Sequence, residues 1–221
     1  MARLITGLDA ARVRANAERV RAEIDAAAGR AGREPEAVAL LAAVKYVPLA
    51  ELGVLADAGL TLVGENRAQD LEAKATGPDG GRLTWHFIGQ LQSRKVRQVL
   101  EHSELVHSVA SDSALEQLGR HGRPGTRVLV QVNVAREEGK AGVAPEALGA
   151  FIARCPVTVA GLMTMPPFAE DPEQSRPHFA ALRELAAEHG LAELSMGTSQ
   201  DFAVAVEEGA TIVRVGSVLY A

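Results

Sequence analysis

Two apolar segments of the chain each end in a single cation. Residues 40–44 are followed by Lys45, and residues 211–213 are followed by Arg214. A charge among apolar side chains is unfavourable unless an anion or hydrogen bonds compensate it. A lysine crowded by a second cation and by apolar walls loses its proton more readily, and the neutral amine attacks carbonyl carbons. The pair therefore indicates Schiff-base chemistry on a carbonyl compound that also carries negative charge.

A candidate phosphate site lies near the end of the chain. The segment 195–199, Ser-Met-Gly-Thr-Ser, runs from a predicted strand into the start of a predicted helix. Free backbone N–H groups and hydroxyls at such a position suit a phosphate. Gly216 and Ser217 follow the last predicted strand and add to this site. A lysine, a second cation and phosphate-binding loops together predict a Schiff base with a phosphorylated aldehyde, and pyridoxal 5′-phosphate (PLP) is the obvious candidate.

Arg214 would then face the pyridine nitrogen of the cofactor. A carboxylate in that position keeps the ring protonated and makes it a strong electron sink. An arginine disfavours protonation and weakens the sink. The residue that completes the candidate site therefore argues against efficient carbanion chemistry.

The elements that position these residues alternate regularly between strand and helix. Eight apolar segments are predicted strands, at residues 37–44, 61–64, 83–88, 105–109, 127–134, 157–165, 193–196 and 211–215. Predicted helices separate them, at residues 48–58, 67–76, 93–102, 112–119, 145–154, 172–189 and 200–208. This α/β alternation implies parallel strands with right-handed crossovers, and eight strands predict a closed (β/α)8 TIM barrel. The alternative is an open doubly wound sheet, but the first strand is not followed by Gly-x-Gly-x-x-Gly and no Walker sequence is present.

Both ends of the chain depart from the usual barrel. Residues 8–31 are rich in Ala, Arg and Glu and carry apolar side chains at three- and four-residue steps, which predicts an extra N-terminal helix. The sequence ends at Ala221, shortly after the last predicted strand, so we expect a truncated eighth helix. The N-terminal helix would cover the place where that helix packs. We expect one PLP-binding TIM-barrel domain over residues 1–221.

Side-chain alternation along the strands predicts where the two cations point. On the first strand Lys45 shares a face with Leu41, whereas Tyr46 points the other way. On the last strand Arg214 shares a face with Ile212. Strands one and eight are neighbours in a closed barrel, so we expect Lys45 and Arg214 to lie close together inside it.

Composition argues against several classes of protein. The net charge of −5 is unlike that of a general binder of nucleic acid or anionic membranes, and no apolar run approaches the roughly 20 residues that span a bilayer. A single cysteine, Cys155, excludes an internal disulfide framework and fits a reducing cytoplasm. Residues 1–7 contain no apolar core of a signal peptide. The six histidines show no metal-binding spacing, so no metal site is expected.

Short motifs along most of the chain match a known family. They are Ala-Val-Lys at 43–45, Gly-Glu-Asn at 64–66, Trp-His-Phe-Ile-Gly at 85–89, Leu-Gln at 91–92, Lys-Ala-Gly at 140–142, Gly-Leu-Met at 161–163, Leu-Ser-Met-Gly at 194–197 with Ser199, and Val-Arg-Val-Gly at 213–216. Each motif alone is weak, but together and in this order they are specific. With them the chain resembles the YggS/PROSC family of PLP homeostasis proteins, also called the alanine-racemase N-terminal-domain-like family.

This resemblance implies a PLP aldimine on Lys45. It implies that Arg214 approaches the ring nitrogen and that Ser199, Gly216 and Ser217 hold the phosphate. The other cofactor-binding residues that it implies are Asn66, His86 and Met163, which would line the pocket, and Ser195 and Thr198, which would lie near the phosphate.

Two positions depart from the family pattern. Tyr46 stands where a small polar residue is common, and we expect its side chain to point away from the pocket. Ser217 stands where threonine is common, and it retains the hydroxyl. Neither change alters the predicted site.

The resemblance favours a carrier over an enzyme. Related racemases use two bases, a lysine and a tyrosine from a separate domain of a partner subunit, and this chain has no such domain. We therefore expect a cytoplasmic monomer that holds PLP, limits free aldehyde, passes the cofactor transiently to apo-enzymes and has no catalytic residues. The alternative is a weak amino-acid racemase or Schiff-base lyase that uses the same lysine.

Overall fold

Eight parallel strands close into a barrel in the computed structural model, which describes residues 4–221. Residues 1–3, part of the segment assessed for a signal peptide, lie outside that range. The strands are β1 (Ala39–Ala43), β2 (Leu62–Glu65), β3 (Thr84–Phe87), β4 (Leu105–Val109), β5 (Arg127–Gln131), β6 (Thr158–Met163), β7 (Glu193–Thr198) and β8 (Ile212–Val215). Each strand pairs with the next, and β8 pairs with β1 to complete the ring. The predicted (β/α)8 architecture is confirmed.

Helices surround the barrel and connect its strands. They are α1 (Ala10–Arg30), α2 (Leu52–Asp57), α3 (Ala68–Ala75), α4 (Val96–His102), α5 (Asp112–His121), α6 (Leu148–Ala153), α7 (Arg176–Glu188), α8 (Phe202–Glu207) and α9 (Ser217–Tyr220). Short 3-10 turns lead into four of them, at Leu49–Glu51, Ser93–Lys95, Pro145–Ala147 and Pro172–Ser175. The predicted helices at these places therefore begin with a 3-10 turn. Two of these turns start with proline, which suits the position because a backbone N–H in the first turn would have no acceptor within the helix.

Side-chain alternation divides the apolar residues of the strands between two layers. A compact cluster inside the barrel is formed by Leu41, Leu105, Leu129, Met163 and Ile212. The outward-facing side chains pack against the helices in one larger core. Because both faces of the sheet are covered, the strands have nearly continuous apolar sequences.

Four strand boundaries differ from the predicted ones by two or more residues, and one of them is the end of β5, which stops at Gln131 rather than at residue 134. β1 begins at Ala39 because Pro35–Ala37 form a 3-10 turn. β6 ends at Met163, and β7 continues to Thr198. Gly197 lies at φ +89 within β7, a conformation that glycine adopts freely, and the pairing of β7 with β8 shifts register there.

The N-terminal helix packs beside the last strand. Asp9 caps α1 by accepting a hydrogen bond from the Arg12 N–H at 2.8 Å. The helix contacts α2, α8 and α9, which surround the place where a full eighth helix would lie. Buried Asn16 donates from Nδ2 to the carbonyls of Leu219 at 3.1 Å and Ala221 at 3.0 Å. The extra N-terminal helix and the single helical turn after β8 are both present, and α1 packs on that turn.

Gly161 allows β6 and β7 to approach closely. A Cβ atom at this position would lie 1.9 Å from the Glu193 carbonyl oxygen, which is far inside any van der Waals contact. The glycine of the Gly-Leu-Met motif is therefore required by backbone packing.

Replacing Asn16 with alanine should destabilise the fold at the junction of α1 and α9. Two carbonyls at the end of the chain lose their donor, which costs about 1–3 kcal/mol in the free energy of unfolding, measured in urea. Glu23→Ala, at an exposed position on the same helix, is the matched control and should change this free energy by less than about 0.5 kcal/mol. Equal effects of the two substitutions would contradict this role of Asn16.

Candidate functional site

Arg214 carries a buried positive charge inside the barrel, 5% exposed. Its Nη1 donates to Ser195 Oγ at 2.5 Å and its Nη2 donates to the Thr164 carbonyl at 2.9 Å. Among residues 4–221, no carboxylate forms a hydrogen bond or ion pair with this guanidinium. Burial lowers the pKa of Arg214 to about 10, and the charge of Asp201 acts in the opposite direction. The side chain remains a cation at neutral pH, held by neutral acceptors.

A chain of hydrogen bonds continues from Arg214 across the barrel. Ser195 Oγ lies 2.8 Å from His107 Nδ1, and His107 Nε2 lies 3.0 Å from His86 Nδ1. Burial lowers the pKa of His86 to about 4, with a further contribution from Arg127. Burial also lowers the pKa of His107 well below its usual value, helped by His86 and Arg214. Both imidazoles are therefore neutral at physiological pH.

Lys45 follows β1 but does not continue its alternation. β1 ends at Ala43, and Lys45 and Tyr46 lie in a turn closed by a 3.0 Å hydrogen bond from the Val47 N–H to the Val44 carbonyl. The Lys45 side chain is exposed, and its Nζ lies 4.9 Å from the centroid of the Tyr46 ring. The expectation that Lys45 is crowded inside the barrel is wrong, whereas the expected direction of Tyr46, away from the pocket, stays a prediction. Alternation predicts direction only while the chain stays extended.

A buried ion pair supports the backbone just before Lys45. Glu65 is fully buried, and its Oε2 accepts a 2.5 Å hydrogen bond from Lys74 Nζ. The same Lys74 ammonium donates to the Val44 carbonyl at 2.8 Å. Tyr220 donates its hydroxyl to the Ala43 carbonyl at 3.2 Å, and burial, followed by the charge of Glu65, raises the pKa of that hydroxyl. Glu65, which sequence analysis associated with the Gly-Glu-Asn motif, thus helps to position the turn that carries Lys45.

The loops after β7 and β8 meet at the barrel mouth. Ser199 Oγ accepts a hydrogen bond from the Gly216 N–H at 3.0 Å. Asp201 Oδ1 accepts from the backbone N–H of Thr198 at 2.7 Å and from its hydroxyl at 3.1 Å. Ser217 is exposed at the start of α9. Four of the predicted phosphate-site residues, Thr198, Ser199, Gly216 and Ser217, are therefore brought together.

The other predicted residues occupy different environments. Asn66 is half-buried at the end of β2, and a Cβ atom on Gly89 would lie 2.0 Å from its carbonyl oxygen. Met163 is 2% exposed and belongs to the apolar cluster inside the barrel. Ser195 is fully buried and contacts Arg214 rather than the loop of Ser199.

Sequence analysis missed three residues that hold the site together. His107 and Lys74 belong to none of the recognised motifs, and Thr164 contributes a backbone carbonyl, which leaves no sequence signal. His107 alone gave a usable signal. It is a polar residue two positions after Leu105 in an apolar strand, so alternation places it inside the barrel.

Residues 4–221 show neither a metal-binding cluster nor a membrane-spanning helix. No group of three or more His, Cys, Asp or Glu side chains in this range is arranged to hold a metal ion. None of the helices in this range is both long and apolar enough to span a bilayer.

Comparison with known proteins identifies the family. The model of the alanine racemase N-terminal domain family matches residues 8–221. Pyridoxal phosphate homeostasis proteins from Aquifex aeolicus and Pseudomonas aeruginosa are 41% and 40% identical, over 91% and 93% of this chain and 94% and 93% of theirs. The chain belongs to the alanine racemase N-terminal domain family and, within it, to the pyridoxal phosphate homeostasis proteins. The resemblance inferred from the motifs is confirmed.

Solved structures agree with this assignment. PipY of Synechococcus elongatus PCC7942, solved with PLP bound, is 34% identical with a TM-score of 0.75, covering 90% of this chain and 100% of that one. A protein from Bifidobacterium adolescentis is 31% identical with a TM-score of 0.86, covering 99% and 98%. Alanine racemase from Corynebacterium glutamicum is 18% identical with a TM-score of 0.72, covering 100% and 63%, and supports the fold alone.

Acid should destabilise the protein through its two buried histidines. The folded-state pKa of His86 is about 4 and that of His107 is also lowered, whereas histidines of an unfolded chain titrate near 6.5. The unfolded state therefore binds more protons as the pH falls below about 6.5. Stability is fully present above that value and falls by roughly 1 kcal/mol per pH unit for each histidine until the folded-state pKa is reached. Urea unfolding between pH 7.5 and 4.5 measures this slope.

Two substitutions separate the buried histidines from other acid effects. His107→Asn removes one titrating group and should flatten the slope. His189→Gln, at an exposed position, should leave it unchanged. A wild-type slope in His107→Asn would contradict the neutral state assigned to that imidazole.

Proposed function

We propose that this protein binds PLP through Lys45 and acts in PLP homeostasis as a carrier or buffer, with little or no catalytic turnover. Two observations on other proteins support this. The curated relatives are named pyridoxal phosphate homeostasis proteins, and PipY was solved with PLP bound. The chain itself offers an accessible lysine, a buried arginine and hydroxyl-bearing loops at one end of the barrel.

The residues at the barrel mouth fit a phosphorylated aldehyde. Arg214 is buried, and its hydrogen-bond partners are neutral, so an anionic ligand nearby would offset its charge. Ser199, Gly216 and Ser217 lie on the loops after β7 and β8, where phosphate binds in many barrels of this fold. The Gly216 N–H, whose acceptor is the Ser199 hydroxyl, is suited to a phosphate oxygen instead.

Bound PLP would supply an aldehyde for condensation with Lys45, in which Nζ attacks the aldehyde carbon, a C=N bond forms and the carbonyl oxygen leaves as water. The exposure of Lys45 gives this reaction and its reversal access to solvent. Lys74 and Tyr220 fix the two carbonyls that precede Lys45, so they orient the turn that carries it.

Arg214 is the observation that carries the choice of a carrier over an enzyme. A guanidinium only donates hydrogen bonds and does not give a proton to a ring nitrogen at neutral pH. A cofactor ring that faces it is a weak electron sink. Asp201 is the carboxylate whose charge acts on Arg214, and it accepts hydrogen bonds from the Thr198 N–H and the Ser175 hydroxyl. Strong carbanion stabilisation is therefore not supported.

The tyrosines bear on the alternative function. Tyr220 is buried, and its hydroxyl donates to a backbone carbonyl. Tyr46 is exposed beside the Lys45 ammonium, and this proximity is the observation that favours a weak racemase or lyase. Because Tyr46 adjoins Lys45 on the same turn, it does not supply a base on the opposite side of a bound ring, and we favour the carrier.

An accessible lysine also suits transfer of the cofactor. We propose that the protein acts as a cytoplasmic monomer and passes PLP to apo-enzymes in transient contacts.

Lys45→Ala should abolish covalent PLP binding. Wild-type protein mixed with PLP should develop the visible absorbance of a lysine Schiff base, and borohydride should trap the cofactor mass on the peptide that contains Lys45. The variant should show neither signal. Lys95→Ala, which changes a lysine of the turn before α4, is the control and should behave as wild type. Absence of the absorbance and of the trapped mass in wild-type protein would refute the proposal.

Amino-acid racemisation should be at most marginal. The PLP-loaded protein, incubated with L-alanine or L-serine in deuterated water, should exchange the α-proton no more than about tenfold faster than free PLP, because the ring faces an arginine. Proton NMR measures the exchange and polarimetry measures loss of optical activity. Rapid loss of optical activity that disappears in Tyr46→Phe would favour the racemase instead.

A further inference from the structure

We propose that His107 is a positioning residue that fixes the Arg214 guanidinium through Ser195. The four side chains Arg214, Ser195, His107 and His86, called here the barrel relay, would then set the geometry of the cation that faces the cofactor. This inference rests on the proposed PLP function.

The barrel relay spans the interior of the barrel. Its members come from β8, β7, β4 and β3, in that order. Consecutive contacts measure 2.5 Å, 2.8 Å and 3.0 Å. β4 and β7 are not neighbours in the sheet, so the contact between His107 and Ser195 joins opposite sides of the interior. Three of the four side chains, those of Ser195, His107 and Arg214, are at most 5% exposed.

The chemistry of the groups gives the relay one direction. Arg214 can only donate, so Ser195 Oγ accepts from it and must place its own proton elsewhere. The neighbour that can take this proton is His107 Nδ1, which must then be unprotonated. His107 therefore carries its proton on Nε2 and donates it to His86 Nδ1. His86 in turn carries its proton on Nε2, so one buried cation determines the tautomers of both imidazoles.

The surrounding charges keep the two imidazoles neutral. The positive charge of Arg214 on β8 lowers the pKa of His107, and that of Arg127 on β5 lowers the pKa of His86. Glu193 on β7 pairs with Arg127. Within residues 4–221, no carboxylate is hydrogen-bonded to either imidazole. If His107 were protonated, its Nδ1–H would be a donor toward Ser195 Oγ. The serine oxygen would then be met by donors from both Arg214 and His107, and the serine proton would have no acceptor on His107.

Loss of His107 should therefore disturb Arg214 although the two do not touch. Without an acceptor at the Nδ1 position, the Ser195 proton has no defined direction, and the hydroxyl can turn it toward the guanidinium. Arg214 would then be held by the Thr164 carbonyl alone among its present partners. A cation that samples several orientations binds the cofactor ring less favourably.

Two substitutions of His107 test the proposal, because the amide of each new side chain occupies the position of a different ring nitrogen. The amide oxygen of asparagine can reach the Nδ1 position and accept the Ser195 proton, whereas the longer glutamine side chain places its amide near Nε2. His107→Asn should keep the PLP dissociation constant within about threefold of wild type, while His107→Gln should raise it about tenfold, a difference of about 1.4 kcal/mol. Ser195→Ala should resemble His107→Gln, and His189→Gln is the surface control.

Affinity is measured by absorbance titration and equilibrium dialysis, together with the thermal midpoint of each apo-protein. If both His107 variants lower the thermal midpoint equally and bind PLP alike, His107 has a structural role only and the proposal fails. The same conclusion follows if Ser195→Ala binds PLP as wild type does.

Nitrogen NMR of the unsubstituted protein tests the relay without any variant. His86 and His107 should both show an unprotonated Nδ1 and a protonated Nε2, and His107 should keep this state at pH 5. A protonated Nδ1 on His107 would overturn the direction assigned here. These readings use the apo-protein, so they are separate from the failure of PLP binding itself, which would appear as absent wild-type absorbance.

Discussion

A buried guanidinium that can only donate hydrogen bonds determines the polar arrangement inside this barrel. Arg214 needs acceptors, and the Thr164 carbonyl and the Ser195 hydroxyl provide them. The serine must then donate in its turn, which requires a neutral His107 and, beyond it, a neutral His86. Burying an unpaired charge in an apolar interior costs free energy. Here the hydrogen bonds offset that cost, because each donor from Arg214 to His107 has an acceptor.

A second set of buried polar side chains, which is separate from the barrel relay, supports the turn that carries Lys45. The Glu65–Lys74 pair lies behind the end of β1, and its ammonium also holds the Val44 carbonyl. Removing one partner of such a pair leaves a buried charge without compensation, so each partner is needed to keep the other stable in this position. The Lys45 side chain is exposed to solvent, whereas the backbone carbonyl just before it is held by the buried Lys74 ammonium. The structure thus separates a buried support from an exposed lysine.

This separation fits a protein that holds an aldehyde and releases it. A catalyst would gain from a closed site, a strong electron sink and two bases on opposite sides of the ring. The proposed site instead combines an exposed lysine with a buried arginine that would weaken the sink. The loops proposed to hold the phosphate would add affinity without adding acid or base chemistry, since they offer hydroxyls and a backbone N–H. In the proposed function, the same residues would retain PLP and still leave it available to other proteins.

The sequence by itself determined the barrel, because eight apolar segments separated by helices require parallel strands covered on both faces. It also determined the family, and it identified Lys45 and Arg214 as the residues to examine, since a cation directly after an apolar strand is conspicuous. Only the tertiary structure decided their surroundings. β1 ends at Ala43, so strand alternation no longer sets the direction of Lys45. His107 and Ser195 are 88 residues apart and meet across the barrel interior, and a contact of that kind depends on closure and register, which no local pattern encodes.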